Sequence, residues 1–91
     1  METRPTPARV AMYSTLFCPY CAAAKLLLRQ LGIAYDDVDV TANPSARREL
    51  RERTGHRTVP VIFVDGTFVG GYVELRALWR RGELDALRAT A

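Results

Sequence analysis

Short apolar runs alternate along the chain with longer stretches in which apolar residues recur at helical spacing. Runs rich in Val, Ile, Phe and Tyr predict strands, whereas the i, i+3, i+4 spacing predicts helices. Proline at a first turn marks a helix start, and glycine after the last apolar position marks a helix end. The predicted elements are strands at 9–14, 33–40, 61–64 and 67–69, helices at 19–31 and 45–54, and helical turns at 74–79 and 84–88.

This β-α-β-α-β-β-α order predicts an α/β fold. A strand–helix–strand unit favours two parallel strands with helices packed on the sheet. The first strand is apolar on both faces, which is typical of a central strand. Asp65-Gly66 suits a two-residue hairpin turn with positive φ, so the hairpin adds an antiparallel edge. We therefore predict a thioredoxin-like fold, with a four-stranded mixed sheet flanked by helices.

Ninety-one residues allow one compact domain. No linker follows residue 8, so we expect a flexible N-terminal segment at 1–8 and a single domain at 9–91. The composition, 48% hydrophobic and 25% charged, argues against disorder. The sequence contains no apolar stretch of the ~18 residues that a membrane span needs, and its first residues lack a signal-peptide pattern. We therefore expect a cytoplasmic protein with no membrane partner.

The formal net charge of +3 comes from twelve Arg and one Lys against ten acidic residues. Most of these charges fall on predicted helix faces, where they are ordinarily solvated. A nucleic-acid-binding protein is expected to show a concentrated basic stripe or interleaved aromatic residues. Arg47-Arg48 and Arg80-Arg81 are the only adjacent basic pairs, so no nucleic-acid partner is predicted.

Cys18-Pro19-Tyr20-Cys21 falls between the first strand and the first helix. Free N–H groups and the positive end of the helix dipole favour an anion there, and thiolate is the reactive form of cysteine. Residues three apart on a helix have Cβ atoms about 5–6 Å apart, so a small adjustment in the first turn permits a disulfide. The first cysteine is expected at the rim and the second one turn inward. We predict that Cys18 attacks and Cys21 resolves the mixed disulfide.

Other interpretations of the two cysteines stay open at this point. Two cysteines are too few for the disulfide framework of a small secreted protein, and a reducing compartment fits them better. They could be small buried apolar residues. A zinc site would have only Cys18, Cys21 and His56 as ligands, short of the usual four, and we expect no metal. His56 is predicted to lie in a turn after the second helix.

Two further segments have ordinary structural interpretations. Thr58-Val59-Pro60 precedes the hairpin, and only about 5–6% of X–Pro bonds in folded proteins are cis, so the residues alone favour a trans turn. Gly70-Gly71 requires no more than a tight bend.

Taken in order, these motifs resemble the glutaredoxin family, and the resemblance runs from about Val10 to Leu87. Cys18-Pro19-Tyr20-Cys21 is similar to the dithiol active site of that family. Residues 54–60, Thr-Gly-His-Arg-Thr-Val-Pro, are similar to its cis-proline segment, and Gly70-Gly71 to its glutathione-binding turn.

The resemblance implies a cis Val59–Pro60 bond that faces the active site. It also implies that the Val59 backbone pairs with the cysteinyl part of glutathione and that Tyr20 flanks the thiol. Arg57 and Arg47 would lie near the glycine carboxylate, which a guanidinium can bind through two hydrogen bonds; for Arg47, a solvated arginine is the alternative. The glutathione-binding residues implied are Tyr20, Arg47, Arg57, Thr58, Val59, Pro60, Gly71, Tyr72, Val73 and Glu74.

Two positions depart from the family pattern. Family members usually carry Lys three residues before the first active-site cysteine, where this chain has Thr15. After the two glycines they commonly have Cys or Ser followed by small polar or acidic residues, where this chain has Tyr72-Val73-Glu74. The backbone of Tyr72 and Val73 could still bind the γ-glutamyl carboxylate at a helix N-terminus, and Glu74 could engage its amine.

The resemblance implies a glutathione-disulfide oxidoreductase that reduces protein–glutathione mixed disulfides and protein disulfides, and we expect a monomer. Glutathione would recharge it and glutathione reductase would act indirectly. One alternative is a redoxin of the same fold recharged by thioredoxin reductase or another low-molecular-weight thiol. The other is a dimer that holds an iron–sulfur cluster between Cys18 of each chain and two glutathione thiols. Pro19 argues against the cluster because it stiffens the turn.

Overall fold

The computed structural model describes residues 8–88. Residues 1–7 and 89–91, which include most of the predicted N-terminal segment, lie outside the described residues, so the boundary at residue 8 stays a prediction. The elements are β1 (Val10–Ser14), α1 (Pro19–Gln30), β2 (Tyr35–Asp39), α2 (Pro44–Thr54), β3 (Val61–Val64), β4 (Thr67–Gly70), α3 (Tyr72–Arg80) and a 3-10 turn (Asp85–Leu87).

The four strands form one mixed sheet in the order β2-β1-β3-β4. β1 runs parallel to β2, with Val10 opposite Tyr35 and Ser14 opposite Asp39. β1 and β3 are antiparallel, as are β3 and β4. The predicted thioredoxin-like sheet with a central first strand is therefore confirmed.

Local turn and cap signals account for most element ends. Asp65 and Gly66 have φ values of 51° and 81°, which confirms the predicted hairpin turn. The Asn43 side chain accepts a hydrogen bond from the Ala46 N–H at 3.1 Å and caps α2. Gly55 ends α2 in the left-handed region, with φ of 74°.

The third helix begins earlier than the pattern predicts. Its first residue is Tyr72, whereas the apolar spacing indicates a start at Glu74. The difference arises because the Glu74 side chain reaches back and accepts a hydrogen bond from the Gly71 N–H at 2.7 Å, which stabilises an additional half turn. The predicted helical turn at 84–88 is a short 3-10 turn over Asp85–Leu87.

The core lies between the sheet and the helices α1 and α3. β1, β3, α1 and α3 all contribute side chains to it, and its buried residues are Val10, Met12, Ala24, Leu27, Leu28, Ile33, Ile62, Leu75 and Leu84. This packing joins the N-terminal ends of α1 and α3 to one sheet. Within residues 8–88, no helix is both long enough and apolar enough to cross a membrane.

Candidate active site

Cys18 is the N-cap residue of α1, with extended backbone at φ −119° and ψ 113°. Its sulfur accepts a hydrogen bond from the Cys21 backbone N–H at 3.4 Å, and Pro19 occupies the first turn. A sulfur atom in this position replaces the oxygen of an ordinary N-cap side chain and lies at the positive end of the helix dipole. The predicted strand–helix junction for the first cysteine is confirmed.

The segment before β3 approaches the same sulfur from the opposite side. The Cys18 thiol contacts the Val59 carbonyl oxygen at 3.6 Å. The Val59–Pro60 peptide bond is cis, as the family resemblance implies, whereas the proline statistics alone favoured trans. Cys18 and Val59, which are 41 positions apart in the chain, are thus in direct contact.

The two cysteines are free thiols in different surroundings. Cys18 is half-buried, whereas Cys21 is 1% exposed, as predicted for a rim thiol and an inner thiol. Burial raises the pKa of the Cys21 thiol to about 11, and a hydrogen bond from the Thr15 backbone N–H acts in the opposite direction. Cys21 is therefore protonated at neutral pH unless a reaction step draws its proton away.

A cleft of about 200 Å³ opens beside the cysteines. It lies between the N-terminal end of α3 and the segment before β3, and Tyr20 closes one side. The Tyr20 and Tyr72 rings lie 6.3 Å apart across it. Its lining contains eight of the predicted glutathione-binding residues and one that was not predicted: Tyr20, His56, Thr58, Val59, Pro60, Gly71, Tyr72, Val73 and Glu74.

Arg47 and Arg57, the two remaining predicted residues, line an adjoining cleft. This second cleft shares His56, Thr58 and Val59 with the first, so the two adjoin along that segment. Together their linings include all ten predicted glutathione-binding residues, and Val59, which lines both clefts, contacts Cys18. The structure places the two guanidinium groups at the end away from α3.

The start of α3 fits closely against the rest of the site. A Cβ on Gly71 would lie 3.2 Å from the His56 ring nitrogen Nε2 and 3.3 Å from the Pro60 carbonyl oxygen. Glycine at position 71 thus allows the helix N-terminus to approach the proline segment. One carboxylate oxygen of Glu74 already binds the Gly71 N–H, which leaves Glu74 as a helix cap with its second oxygen available.

Sequence reasoning missed His56 as a site residue. As predicted, it follows the second helix in a turn, but its ring also packs 5.7 Å from the Phe68 ring and lines both clefts. Its Nε2 lies 3.3 Å from the Thr58 hydroxyl. Its position inside the 54–60 motif, immediately before Arg57, was the available signal. Within residues 8–88, no group of three or more His, Cys, Asp or Glu side chains has the arrangement of a metal site.

Large apolar side chains surround the Cys18 thiol on the solvent side. Phe17 is 91% exposed and Leu16 67%, both directly before the cysteine. Tyr20 and Val73, which line the cleft, are 61% and 67% exposed. Apolar groups clustered this way around a reactive centre are typical of a surface that contacts another protein.

The sequence profile of the glutaredoxin family matches residues 10–69. The chain belongs to the glutaredoxin family. A glutaredoxin of Neisseria meningitidis serogroup B is 46% identical over 79 residues, covering 86% of this chain and 93% of the relative. Glutaredoxin 3 of Escherichia coli K12 is 41% identical over 80 residues, covering 88% of this chain and 96% of the relative.

Solved glutaredoxin structures have the same fold. The crystal structure of a buckwheat glutaredoxin–glutathione complex superposes with a TM-score of 0.83 at 29% identity, over 88% of this chain and 76% of that one. The solution structure of glutaredoxin from Brucella melitensis superposes with a TM-score of 0.77 at 41% identity, over 92% of both chains. Together with the Cys18–Cys21 geometry, this membership shows a thiol–disulfide oxidoreductase.

Proposed function

We propose that the protein reduces protein–glutathione mixed disulfides and protein disulfides through Cys18, with glutathione as its reductant. The observation that carries this proposal is the position of the Cys18 thiol. It lies at a helix N-terminus, in contact with the carbonyl of Val59, and Val59 also lines the cleft. The buckwheat relative solved in complex with glutathione supports the choice of ligand.

The two clefts offer complementary groups for a tripeptide with a carboxylate at each end. The backbone of Val59, beside the thiol, would pair with the cysteinyl part of glutathione. The free N–H groups of Tyr72 and Val73, in the first turn of α3, would bind the γ-glutamyl carboxylate. Arg47 and Arg57 would bind the glycine carboxylate at the opposite end.

The chemistry proceeds by exchange of sulfur partners. The Cys18 thiolate attacks a glutathionylated protein, its sulfur takes the glutathionyl group, and the protein thiol leaves with the electron pair and gains a proton. A second glutathione thiolate then attacks this mixed disulfide, which releases glutathione disulfide and restores Cys18. When the substrate is a protein disulfide, the attack by Cys18 leaves Cys18 joined to the substrate protein in a mixed disulfide. Cys21 then attacks this mixed disulfide and forms the Cys18–Cys21 disulfide, which glutathione afterwards reduces.

The exposed apolar side chains beside the cleft would contact the protein part of the substrate. Phe17 immediately precedes the attacking cysteine and is almost fully exposed, so contact with a partner would remove most of its apolar surface from water. A protein substrate would gain binding free energy from this contact, whereas a small disulfide would not.

The test is a coupled assay on purified protein with glutathione, glutathione reductase and NADPH, run beside a second assay with thioredoxin reductase. Wild type and Cys21→Ser should both turn over a glutathionylated peptide with glutathione, and Cys18→Ser should fall to the background rate. Comparable activity in Cys18→Ser would refute the proposed nucleophile. Turnover that depends on thioredoxin reductase alone would refute glutathione as reductant.

A further inference from the structure

A half-buried ion pair connects α1 to the edge strand β2 close to the inner thiol. The Lys25 Nζ lies 2.8 Å from the Asp37 Oδ2, and the two side chains are 25% and 29% exposed. The Arg9–Asp65 and Arg81–Glu83 pairs elsewhere on the molecule have side chains at least half exposed. Solvent screens the Lys25 charge less than theirs, so its field acts more strongly on neighbouring groups.

The partner of Lys25 is itself held in place. The Ser14 hydroxyl donates a hydrogen bond to the Asp37 Oδ1 at 2.6 Å, so both carboxylate oxygens have a partner. Ser14 is 1% exposed and ends the central strand β1. A buried hydroxyl in the sheet therefore orients Asp37, and Asp37 orients the ammonium group of Lys25.

The same end of β1 also reaches Cys21. The backbone of Thr15, the residue after Ser14, lies close enough to Cys21 to lower the pKa of its thiol. Lys25 follows Cys21 by four residues in α1, which places both side chains on one face of the helix. Burial raises the pKa of Cys21, whereas the Thr15 N–H and the charge of Lys25 lower it.

We infer that Lys25 is a positioning residue for the second half of the reaction: its ammonium, held by Asp37 and Ser14, stabilises the Cys21 thiolate that attacks the mixed disulfide on Cys18. This inference rests on the proposed function, in which Cys21 resolves that disulfide. In the step, Cys21 loses its proton and its sulfur bonds to the Cys18 sulfur. The bond from Cys18 to the substrate sulfur breaks, and the substrate leaves with the electron pair and takes up a proton.

Other charged groups act on this arrangement from the neighbouring elements. Cys18 acts on Cys21 from the helix N-cap and disfavours a second negative charge. On β2, three groups interact with Lys25: Tyr35, Asp37 and Asp39. The hydrogen bond that Lys25 donates to Asp37 raises the pKa of Lys25, which keeps it cationic over most of the range in which thiols titrate.

The test isolates the Cys21 step by loading Cys18 with thionitrobenzoate and following its release by stopped-flow absorbance from about pH 6 to about pH 11, so that the upper end of the range reaches the titration of Cys21. Removal of the charge in Lys25→Met should slow release about 10-fold at neutral pH and move the pH profile about one unit higher. Lys25→Arg, which keeps the charge, should stay within about twofold of wild type. Arg29→Met removes a cation from the exposed end of the same helix and should leave the profile unchanged.

An unchanged profile in Lys25→Met would overturn the inference, as would slower release with no shift along the pH axis. If Lys25→Met does not fold because Asp37 is left unpaired, the double variant Lys25→Met/Asp37→Asn removes both charges and should show the same shift. Failure of the proposed function has a different signature: loaded wild type would release no thionitrobenzoate at any pH. If wild type releases thionitrobenzoate normally and the pH profile of Lys25→Met is not shifted, only the role of Lys25 is refuted.

Discussion

The Cys18 thiol lies 3.6 Å from the Val59 carbonyl oxygen, so the reactive sulfur contacts the backbone that is proposed to hold the substrate. The sulfur is also joined to the Cys21 N–H at 3.4 Å, while the Cys21 side chain points away from solvent. One motif therefore supplies an accessible thiol and an inaccessible one. The two thiols should therefore differ in the rate at which a thiol reagent modifies them.

Iodoacetamide should modify Cys18 at least about 10-fold faster than Cys21 near neutral pH. Cys21 is buried and its pKa is raised by that burial to about 11, so little thiolate is present or reachable. Peptide mass spectrometry over a time course measures both rates, and protein unfolded in urea provides the control in which the rates converge. Faster labelling of Cys21 in the folded protein would contradict the assigned order of the thiols.

The Gly70→Ala substitution should destabilise the start of α3. Its cost in free energy of unfolding should exceed the cost of an alanine at another glycine with positive φ. Gly70 has φ of 134°, and a Cβ there would lie 2.7 Å from the Glu74 side chain that caps the helix. Gly82, with φ of 78°, provides a reference for alanine at a positive φ, and its nearest neighbour would be 3.7 Å away; the difference between the variants combines the larger φ of Gly70 with its contact to Glu74. We expect Gly82→Ala to cost about 1 kcal/mol and Gly70→Ala about 1–2 kcal/mol more.

Urea unfolding followed by circular dichroism gives the free energy of unfolding for both variants. Equal losses would show that Glu74 moves aside freely and that its hydrogen bond to the Gly71 N–H contributes little.

Arg57→Gln should weaken glutathione binding with little effect on the chemical step. The guanidinium lines the second cleft, next to the residues shared with the first, and is exposed. Loss of one solvent-exposed charge-assisted contact corresponds to about 1 kcal/mol, so the KM for the glutathionylated substrate should rise about 5-fold at unchanged kcat.

Arg53→Gln is the matched control for this change, because Arg53 is in the last turn of α2, is exposed and lines neither of the two clefts. A similar KM increase in both variants would indicate a general effect of positive charge rather than a contact with the glycine carboxylate.

The ion pair that anchors the hairpin turn should contribute a pH-dependent stability. Arg9 Nε and Nη2 bind the two Asp65 oxygens at 2.8 and 2.7 Å, and this hydrogen bonding lowers the pKa of Asp65. A lowered carboxyl pKa stabilises the folded state above the unfolded pKa of about 3.9, and this contribution is lost as the pH falls below that value. Both side chains are largely exposed, so the effect is small.

Thermal midpoints of wild type and Asp65→Asn should therefore differ slightly at neutral pH and converge as the pH falls through the lowered pKa of Asp65. Asparagine tolerates the positive φ of 51° at this position, so the substitution tests the charge rather than the turn. The double variant Arg9→Gln/Asp65→Asn completes the thermodynamic cycle. A difference that persists unchanged at acidic pH would show that Arg9 does not act through the carboxylate charge.

The features that depend on neighbouring residues in the chain could be predicted from the sequence. Apolar periodicity and the caps Asn43 and Gly55 located the helices, and Asp65-Gly66 located the hairpin, because these signals act within a few residues. The Cys-x-x-Cys spacing identified the two thiols for the same reason. The start of α3 was missed because its cap comes from a side chain inside the helix, Glu74, that reaches backwards to Gly71.

The contacts between distant groups around the thiols depend on the tertiary packing. Strand register places Asp37 against Ser14 and brings both close to Lys25, and the approach of the segment before β3 places Val59 against Cys18 and His56 against Gly71. None of these contacts leaves a periodic or capping signal in the chain. They arise because the core holds α1, α3 and the sheet in one arrangement, and the surroundings of a buried thiol are set by that packing.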